Sequence, residues 1–139
     1  MNYDEMIYIM IPSGILSSMS IWADKIGDVR ISINEIYMIL LMTLWMIFFM
    51  SIIHKNYILS SVIIILIIIV LILIRSQYLV KRKSFYTSMI PHHSMAVMMS
   101  KRILENDESL SRNEIEFLKK IIKTQEEEIE WMKRNIKYS

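Results

Sequence analysis

The sequence predicts an all-α protein in which two to three transmembrane helices precede an antiparallel pair of helices outside the bilayer. Residues 1–74 contain long uncharged apolar runs and carry three basic and five acidic side chains. Residues 75–139 carry thirteen basic and nine acidic side chains. In the second part, apolar residues recur three and four positions apart, which is helical spacing. We therefore divide the chain into a membrane region, residues 1–76, and a helical-hairpin domain, residues 77–139.

Composition restricts the function further. The formal net charge of the 139 residues is only +2, and the basic residues are interleaved with Glu, so nucleic acid is not an expected partner. The chain contains no cysteine, 13 methionines and 3 histidines. Disulfides and thiolate sites are thereby excluded, and any site for a soft metal must use thioether and imidazole groups.

Residues 6–23 form the first candidate span, because they carry no charge. Pro12, Gly14 and four serines make this segment the least regular candidate, and an interfacial or buried segment is the alternative. A signal peptide is disfavoured because Asp4 and Glu5 occupy the place of its basic residues. The charged residues 24–35 are predicted to form a short external loop.

Two further spans are predicted over residues 36–53 and 57–74, both uncharged. Each approaches the roughly 20 residues that cross a bilayer at ~1.5 Å per residue. Backbone groups in lipid must be hydrogen-bonded internally, so both segments should be helices. The short turn at residues 54–56 makes them an antiparallel hairpin in contact with membrane lipid.

A methionine stripe runs along the first of these two spans. Its members recur every four residues: Met38, Met42, Met46 and Met50. This spacing places them on one helix face. Adaptable packing against a neighbouring helix and a thioether track for a soft monovalent metal are both compatible with it.

Residues 84–106 and 111–138 are predicted to form the two helices of the hairpin. Ser111 and Glu114 open the second in a capping-box pattern. Its apolar spacing defines a seam: Ile115, Leu118, Ile122, Gln125, Ile129, Met132 and Ile136. The same spacing in the first helix selects Phe85, Met89, His92, Ala96, Met99 and Ile103.

Antiparallel pairing of these seams brings their two polar members, His92 and Gln125, face to face. A slipped register would bury each without a partner, at a cost of ~1–3 kcal/mol. Pro91 should kink the first helix or start a new one, because it lacks an N–H. A helix pair this short buries little core, so we expect a homo-oligomer in which two copies form a four-helix bundle.

A cluster of histidine and methionine is the candidate metal site. We assign as ligands Met89, His92, His93, Met95, Met99 and Met132, with Gln125 and Glu128 positioned to orient an imidazole. Imidazole suits several metals, whereas thioether favours copper(I), so copper is the expected ion. The alternative is that His92 is a core histidine and the methionines only pack.

The block Met-Ile-Pro-His-His at residues 89–93, followed by Ala96 and Met99, resembles the "domain of unknown function 305" family, as does the second block at residues 125–132. The similarity covers residues 77–137 and implies a ferritin-like hairpin and copper binding or resistance, as in bacterial members. The family motif carries most of the assigned ligands, with Met98 replacing a frequently acidic position. The preceding spans resemble a membrane-anchored subgroup.

These observations predict a membrane-anchored, non-enzymatic protein that sequesters copper(I) or transfers it to an unidentified partner. A metal-free membrane scaffold is the alternative. A di-iron site is disfavoured because neither helix contains Glu-x-x-His. The basic residues 81–83 favour a cytoplasmic C-terminus, whereas a cysteine-free Met/His site and the bacterial relatives favour an extracytoplasmic one.

Overall fold

The computed structural model describes residues 3–16 and 19–136, with side chains from residues 8–16 and 21–136. Every regular element within those residues is a helix, which confirms the all-α fold. The chain forms two compact units. One contains the N-terminal helix and residues 33–80, and the other combines residues 19–32 with the C-terminal helices. The predicted division at residue 76 therefore placed residues 19–32 in a different unit from the one they join.

The first helix, α1, spans Tyr3–Leu16. Its 14 residues extend for about 21 Å at the helical rise, which is short of the ~30 Å hydrocarbon core. A 3₁₀ helix over Met19–Trp22 follows and belongs to the other unit. The described part of residues 6–23 thus consists of α1 up to Leu16 and a 3₁₀ helix from Met19, and residues 17 and 18 of the predicted span lie outside the described part.

The two central helices agree with the prediction. α2 spans Ile33–Ile53 and α3 spans Tyr57–Arg75, and each is long and apolar enough to cross a membrane. The turn between them is tight: Lys55 has a φ of 55°, and the Asn56 side chain accepts a hydrogen bond from the Leu59 N–H at 3.2 Å. This N-cap satisfies one of the donors that a helix start leaves free.

The interface of α2 with α3 is apolar at its centre and polar near the turn. Its buried core consists of Leu44, Ile63, Ile67 and Val70. Near the turn, the hydroxyl groups of Ser51 and Ser60 lie 2.7 Å apart in a buried hydrogen bond. Small polar residues let two helices approach closely inside a bilayer and still satisfy their own polar atoms.

The methionine stripe lies outside this core. Met38 is 59% exposed and Met46 is 40% exposed, and neither belongs to the core between α2 and α3. Met42 packs towards α1, where a Cβ atom added to Gly14 would lie 3.1 Å from its methyl carbon. Packing thus accounts for Met42 in this unit.

The C-terminal unit is built on α4, Arg82–Asn106, and α5, Arg112–Ile136. The capping box at the start of α5 is confirmed, because Glu114 accepts a hydrogen bond from the Ser111 N–H at 2.8 Å and donates its own N–H to the Ser111 hydroxyl at 3.4 Å. Pro91 lies buried inside α4, so no new helix starts there.

The predicted seam is right for α5 and wrong for α4. The residues that form the core between the helices are Ile90, Val97, Ile129 and Met132. The residues predicted for the α4 seam include Phe85, Met99 and Ile103, which are 47%, 50% and 43% exposed. Helix α4 is therefore rotated by about one residue relative to the prediction, and the pairing of His92 with Gln125 is not formed.

The rotation follows from a second partner of α4. Residues 19–32, here called the strap, pack against α4. Ser94 of α4 is buried and bonds the strap through Asp24 and Asp28, although a serine does not mark a covered side in the sequence. Because α4 has two covered sides, a single apolar seam does not describe it.

One buried carboxylate fixes the strap. Asp28 is 2% exposed, accepts a hydrogen bond from the Ser94 hydroxyl at 2.9 Å, and forms an ion pair with the Lys133 amine at 2.7 Å. Asp24 donates its N–H to Ser94 and accepts from Lys101 at 2.8 Å. The segment predicted as a loop over residues 24–35 is irregular as far as α2 apart from a short 3₁₀ helix at Ile26–Asp28, but it packs against α4.

Substitution of Asp28 by Ala tests this attachment. It removes the buried acceptor of the Ser94 hydroxyl and of the Lys133 amine, which keeps the Glu130 carboxylate at 3.2 Å, at an expected cost of about 1–3 kcal/mol. Amide hydrogen exchange in the strap should be faster in the variant than in the wild type, and the increase should be larger in the strap than in α3. The matched control is Glu108→Ala, which removes an exposed carboxylate. Equal exchange rates in both variants would contradict the role of Asp28.

Alkaline pH should release the strap. The hydrogen bond to Asp28 raises the pKa of Lys133 above its ordinary value of 10.5. The stabilisation by this pair is therefore complete below pH 10.5 and is lost as pH rises through the higher pKa of the folded state. In Lys133→Arg the guanidinium stays protonated, so thermal unfolding followed by circular dichroism should show a smaller alkaline loss. An equal loss in both proteins would contradict this assignment.

Candidate functional site

A groove between α4 and α5 brings histidine and methionine together. Its volume is about 270 Å³, and we call it the His/Met groove; it is lined by Phe85, Tyr86, Met89, His93, Glu128, Trp131 and Met132. Met89 and His93 lie one turn apart on α4, and Glu128 and Met132 lie one turn apart on α5. Each pair therefore shares a helix face.

Glu128 lies against the imidazole of His93. The Glu128 carboxylate is 2.9 Å from the His93 Nδ1 atom, and the histidine side chain is only 18% exposed. This close contact does not have the geometry of a hydrogen bond, since Nδ1 is buried without a hydrogen-bond partner. A neutral imidazole binds a metal through the ring nitrogen that keeps its lone pair.

The methionines of the groove are held differently. Met132 is 5% exposed and belongs to the core between the helices, so its thioether is held by packing. Met89 is half-buried at the edge of the same core. Two thioethers and one imidazole thus line one groove, with one sulfur fixed and the other nearer the surface.

Aromatic side chains form the wall of the groove. The rings of Tyr86 and Trp131 meet edge to face with centroids 5.5 Å apart, and Phe85 lies 5.8 Å from Tyr86. Trp131 remains 50% exposed. The wall therefore limits water on one side of His93 and leaves the groove open at its rim.

Three of the six predicted ligands line this groove: Met89, His93 and Met132. Of the two residues predicted to orient an imidazole, Glu128 contacts His93, while Gln125 is half-buried and does not line the groove. His92, Met95 and Met99 lie on other parts of α4. The predicted pairing of His92 with Gln125 implied that His93 would be the more accessible histidine, but His92 is exposed and His93 is half-buried.

The sequence analysis did not predict the aromatic wall of the groove. Tyr86, Ile90, His93 and Val97 are spaced four, three and four residues apart, so a second helical stripe was present beside the chosen one. Both stripes are apolar with one histidine. Composition alone did not discriminate between them.

The donor atoms of the groove suit a soft cation. Thioether sulfur selects for copper(I), and imidazole suits copper as well. Within the described residues, no three His, Cys, Asp or Glu side chains cluster in a way that would hold a metal ion. A metal held in the groove would therefore depend on the sulfur atoms of Met89 and Met132.

Comparison with known proteins identifies one matching family model, described as Domain of unknown function (DUF305), over residues 80–136. The chain is also 38% identical over 112 residues to the uncharacterized protein L153 of Acanthamoeba polyphaga mimivirus, an alignment that covers 75% of this chain and 74% of the viral protein. No solved structure matches the chain. The family match contains both helices that form the His/Met groove.

Proposed function

The chain belongs to the DUF305 family, and we propose that it is a membrane-anchored protein that binds copper(I) in the His/Met groove, to sequester the ion or transfer it. The observation that supports this most is the contact of His93 Nδ1 with Glu128 at 2.9 Å, in a groove that also contains Met89 and Met132. Copper is here the cargo of the protein, and no enzymatic step is proposed.

Each side chain has a distinct part in this function. Glu128 lies against the His93 Nδ1 atom and limits the positions that the imidazole takes. Met132, fixed in the core, supplies a sulfur whose position changes little. Met89 lies nearer the surface, so its flexible side chain can engage or release the ion.

The open rim suits exchange better than permanent storage. Trp131 and Phe85 are about half exposed, so an incoming ligand reaches the groove without an opening of the helix pair. Affinity and release then depend on a few soft contacts. This favours transfer or reversible sequestration.

We propose that α2 and α3 anchor the protein in lipid. Their 21 and 19 residues correspond to about 32 and 29 Å at the helical rise, close to the ~30 Å hydrocarbon core. The exposed apolar side chains of both helices, such as Ile58, Ile68 and Ile72, are compatible with contact with acyl chains.

We propose that the C-terminal unit lies outside the cytoplasm. Ile33 and Arg75 are the ends of α2 and α3 that lie away from the turn at residues 54–56. Residues 19–32 come just before Ile33 and residues 81–136 come after Arg75, so both segments adjoin the same end of the antiparallel pair. A cysteine-free donor set suits an oxidising compartment, in which free thiols do not persist. Residues 81–83 carry three positive charges and argue for the opposite side under the positive-inside rule.

Replacement of each sulfur tests copper binding in the full-length protein in detergent. Met132→Leu and Met89→Leu conserve side-chain volume and should cost less than about 1.5 kcal/mol in stability. Each should weaken copper(I) affinity by about tenfold or more, measured by competition with a chromophoric copper(I) chelator. Glu128→Leu should weaken it by about 10–100-fold, as expected when the partner of a metal-binding imidazole is lost.

The matched controls are Met95→Leu and Glu127→Leu, whose side chains do not line the groove.

Silver(I), a redox-inert stand-in for copper(I), should raise the melting temperature of the wild type, because a ligand that binds only the folded state stabilises it. Equal affinities in groove and control variants, with no shift by silver(I), would leave the metal-free scaffold as the function.

Orientation is measured with single cysteines, since the chain has none. In intact bacterial cells that express the chain, Glu108→Cys should react with a membrane-impermeant maleimide. Lys55→Cys, in the opposite turn, should react only after permeabilisation. The reverse pattern would place the C-terminal unit in the cytoplasm.

A further inference from the structure

Helix α4 has a third face that is largely open in the single chain and borders the His/Met groove at Phe85 and Met89. The residues on it recur four and three positions apart: Phe85, Met89, His92, Ala96, Met99 and Ile103. We call this set the outer stripe. Phe85, Met99 and Ile103 are 47%, 50% and 43% exposed, and His92 is exposed as well. A mostly apolar stripe along 19 residues therefore faces outwards on a single chain.

The spacing of the outer stripe is that of a coiled-coil seam. Its members fill alternating a and d positions of the heptad, with no charged residue among the six. Such a narrow seam buries its side chains against another helix. In this unit α5 packs mainly on the neighbouring face, at Ile90 and Val97, and reaches the outer stripe at its edge, through Met89. Most of the outer stripe therefore needs another partner.

We propose that the outer stripe is the surface through which two copies of this chain associate, with their α4 helices antiparallel. The stripe is symmetric about residue 94. Antiparallel pairing centred there places Phe85 opposite the partner's Ile103, Met89 opposite the partner's Met99, and His92 opposite the partner's Ala96. Every a position then meets a d position, and no member of the stripe lacks a counterpart.

Side-chain sizes fit this register. The imidazole of His92 lies opposite a methyl group, so the bulkiest polar member meets the smallest residue. The two sulfur pairs bring together flexible side chains that fill irregular space well. A two-fold axis repeats each pair, as an isologous interface requires.

Charge selects the antiparallel arrangement. Three basic residues occupy positions 81–83 at the start of α4, and Glu105, Asp107 and Glu108 occupy its end. In the antiparallel pair the basic start of one α4 lies near the acidic end of its partner, although Glu105 points away from the seam and bonds Arg102 of its own helix at 2.9 Å. A parallel pair would align like charges at both ends, which is unfavourable.

The pairing also gives the two histidines separate places. His93 faces the His/Met groove inside one chain, whereas His92 becomes part of the contact between copies. Met99, which does not line the groove, joins the same contact. The association depends on the outer stripe alone and does not require copper.

Disulfide cross-linking of the full-length, cysteine-free chain in lipid nanodiscs tests the register. Phe85→Cys and Ile103→Cys proteins are reconstituted together in the presence of a chelator and oxidised glutathione. The expected product is a dimer that joins residue 85 of one copy to residue 103 of the other. Within one helix these positions are about 27 Å apart, well beyond the ~7 Å limit for a disulfide.

The matched control pairs Phe85→Cys with Glu105→Cys, an exposed position on a different face of α4, and should give little dimer. A predominance of 85-to-85 products, or equal yields with the control, would overturn the proposal. So would a monomeric wild-type mass in native mass spectrometry, the result expected if lipid or another protein covers the stripe. Ala96→Glu should convert the dimer to monomer without loss of helix content.

Because all samples are metal-free, the outcome is separate from that of the copper titrations. A dimer without copper affinity would overturn the proposed function and leave the interface standing. Copper affinity in a monomer would do the reverse.

Discussion

The C-terminal unit depends on the interactions of one buried carboxylate, that of Asp28. A charge this far from water costs several kcal/mol unless it is paired, and both of its oxygens are engaged, one by Ser94 of α4 and the other by Lys133 of α5. One side chain from the strap therefore ties two helices together. Its position also decides which side of α4 is covered by the strap and hence which side remains for α5.

The orientation of α4 determines the chemistry of the groove. With Ile90 and Val97 turned towards α5, His93 is carried to the same side and meets Glu128. A rotation by one residue would instead place His92 there, with Ala96 in the core. The strap, which contributes no donor to the groove, thus selects the histidine that lines it.

The three sides of α4 also separate three kinds of contact. The side towards the strap carries Ser94 and its charged partner Asp28, and the side towards α5 is apolar with His93 at its edge. The outer stripe is exposed at Phe85, His92, Met99 and Ile103. This arrangement accounts for the apolar residues around much of the circumference of α4. Such a distribution is otherwise unexpected in a unit built on two long helices. It also explains why six candidate ligands were grouped in the sequence while only three line the groove.

The sequence by itself determined what depends on local spacing and composition. The uncharged runs before His54 and Arg75, the capping box at Ser111 and the apolar face of α5 all appear in the structure as predicted, because helix formation and one-sided burial follow from the order of neighbouring residues. The donor types of the candidate site, Met and His without Cys, were likewise fixed by composition.

Tertiary structure alone decided how α4 is turned and where residues 19–32 pack. Asp28 and Ser94 are 66 residues apart in the sequence, and no local pattern marks an aspartate as one that will be buried. The two apolar stripes of α4 each contain one histidine, so periodicity gave them equal weight. The choice between His92 and His93 was made by an ion pair and a hydrogen bond to a distant segment, which are interactions that sequence spacing does not encode.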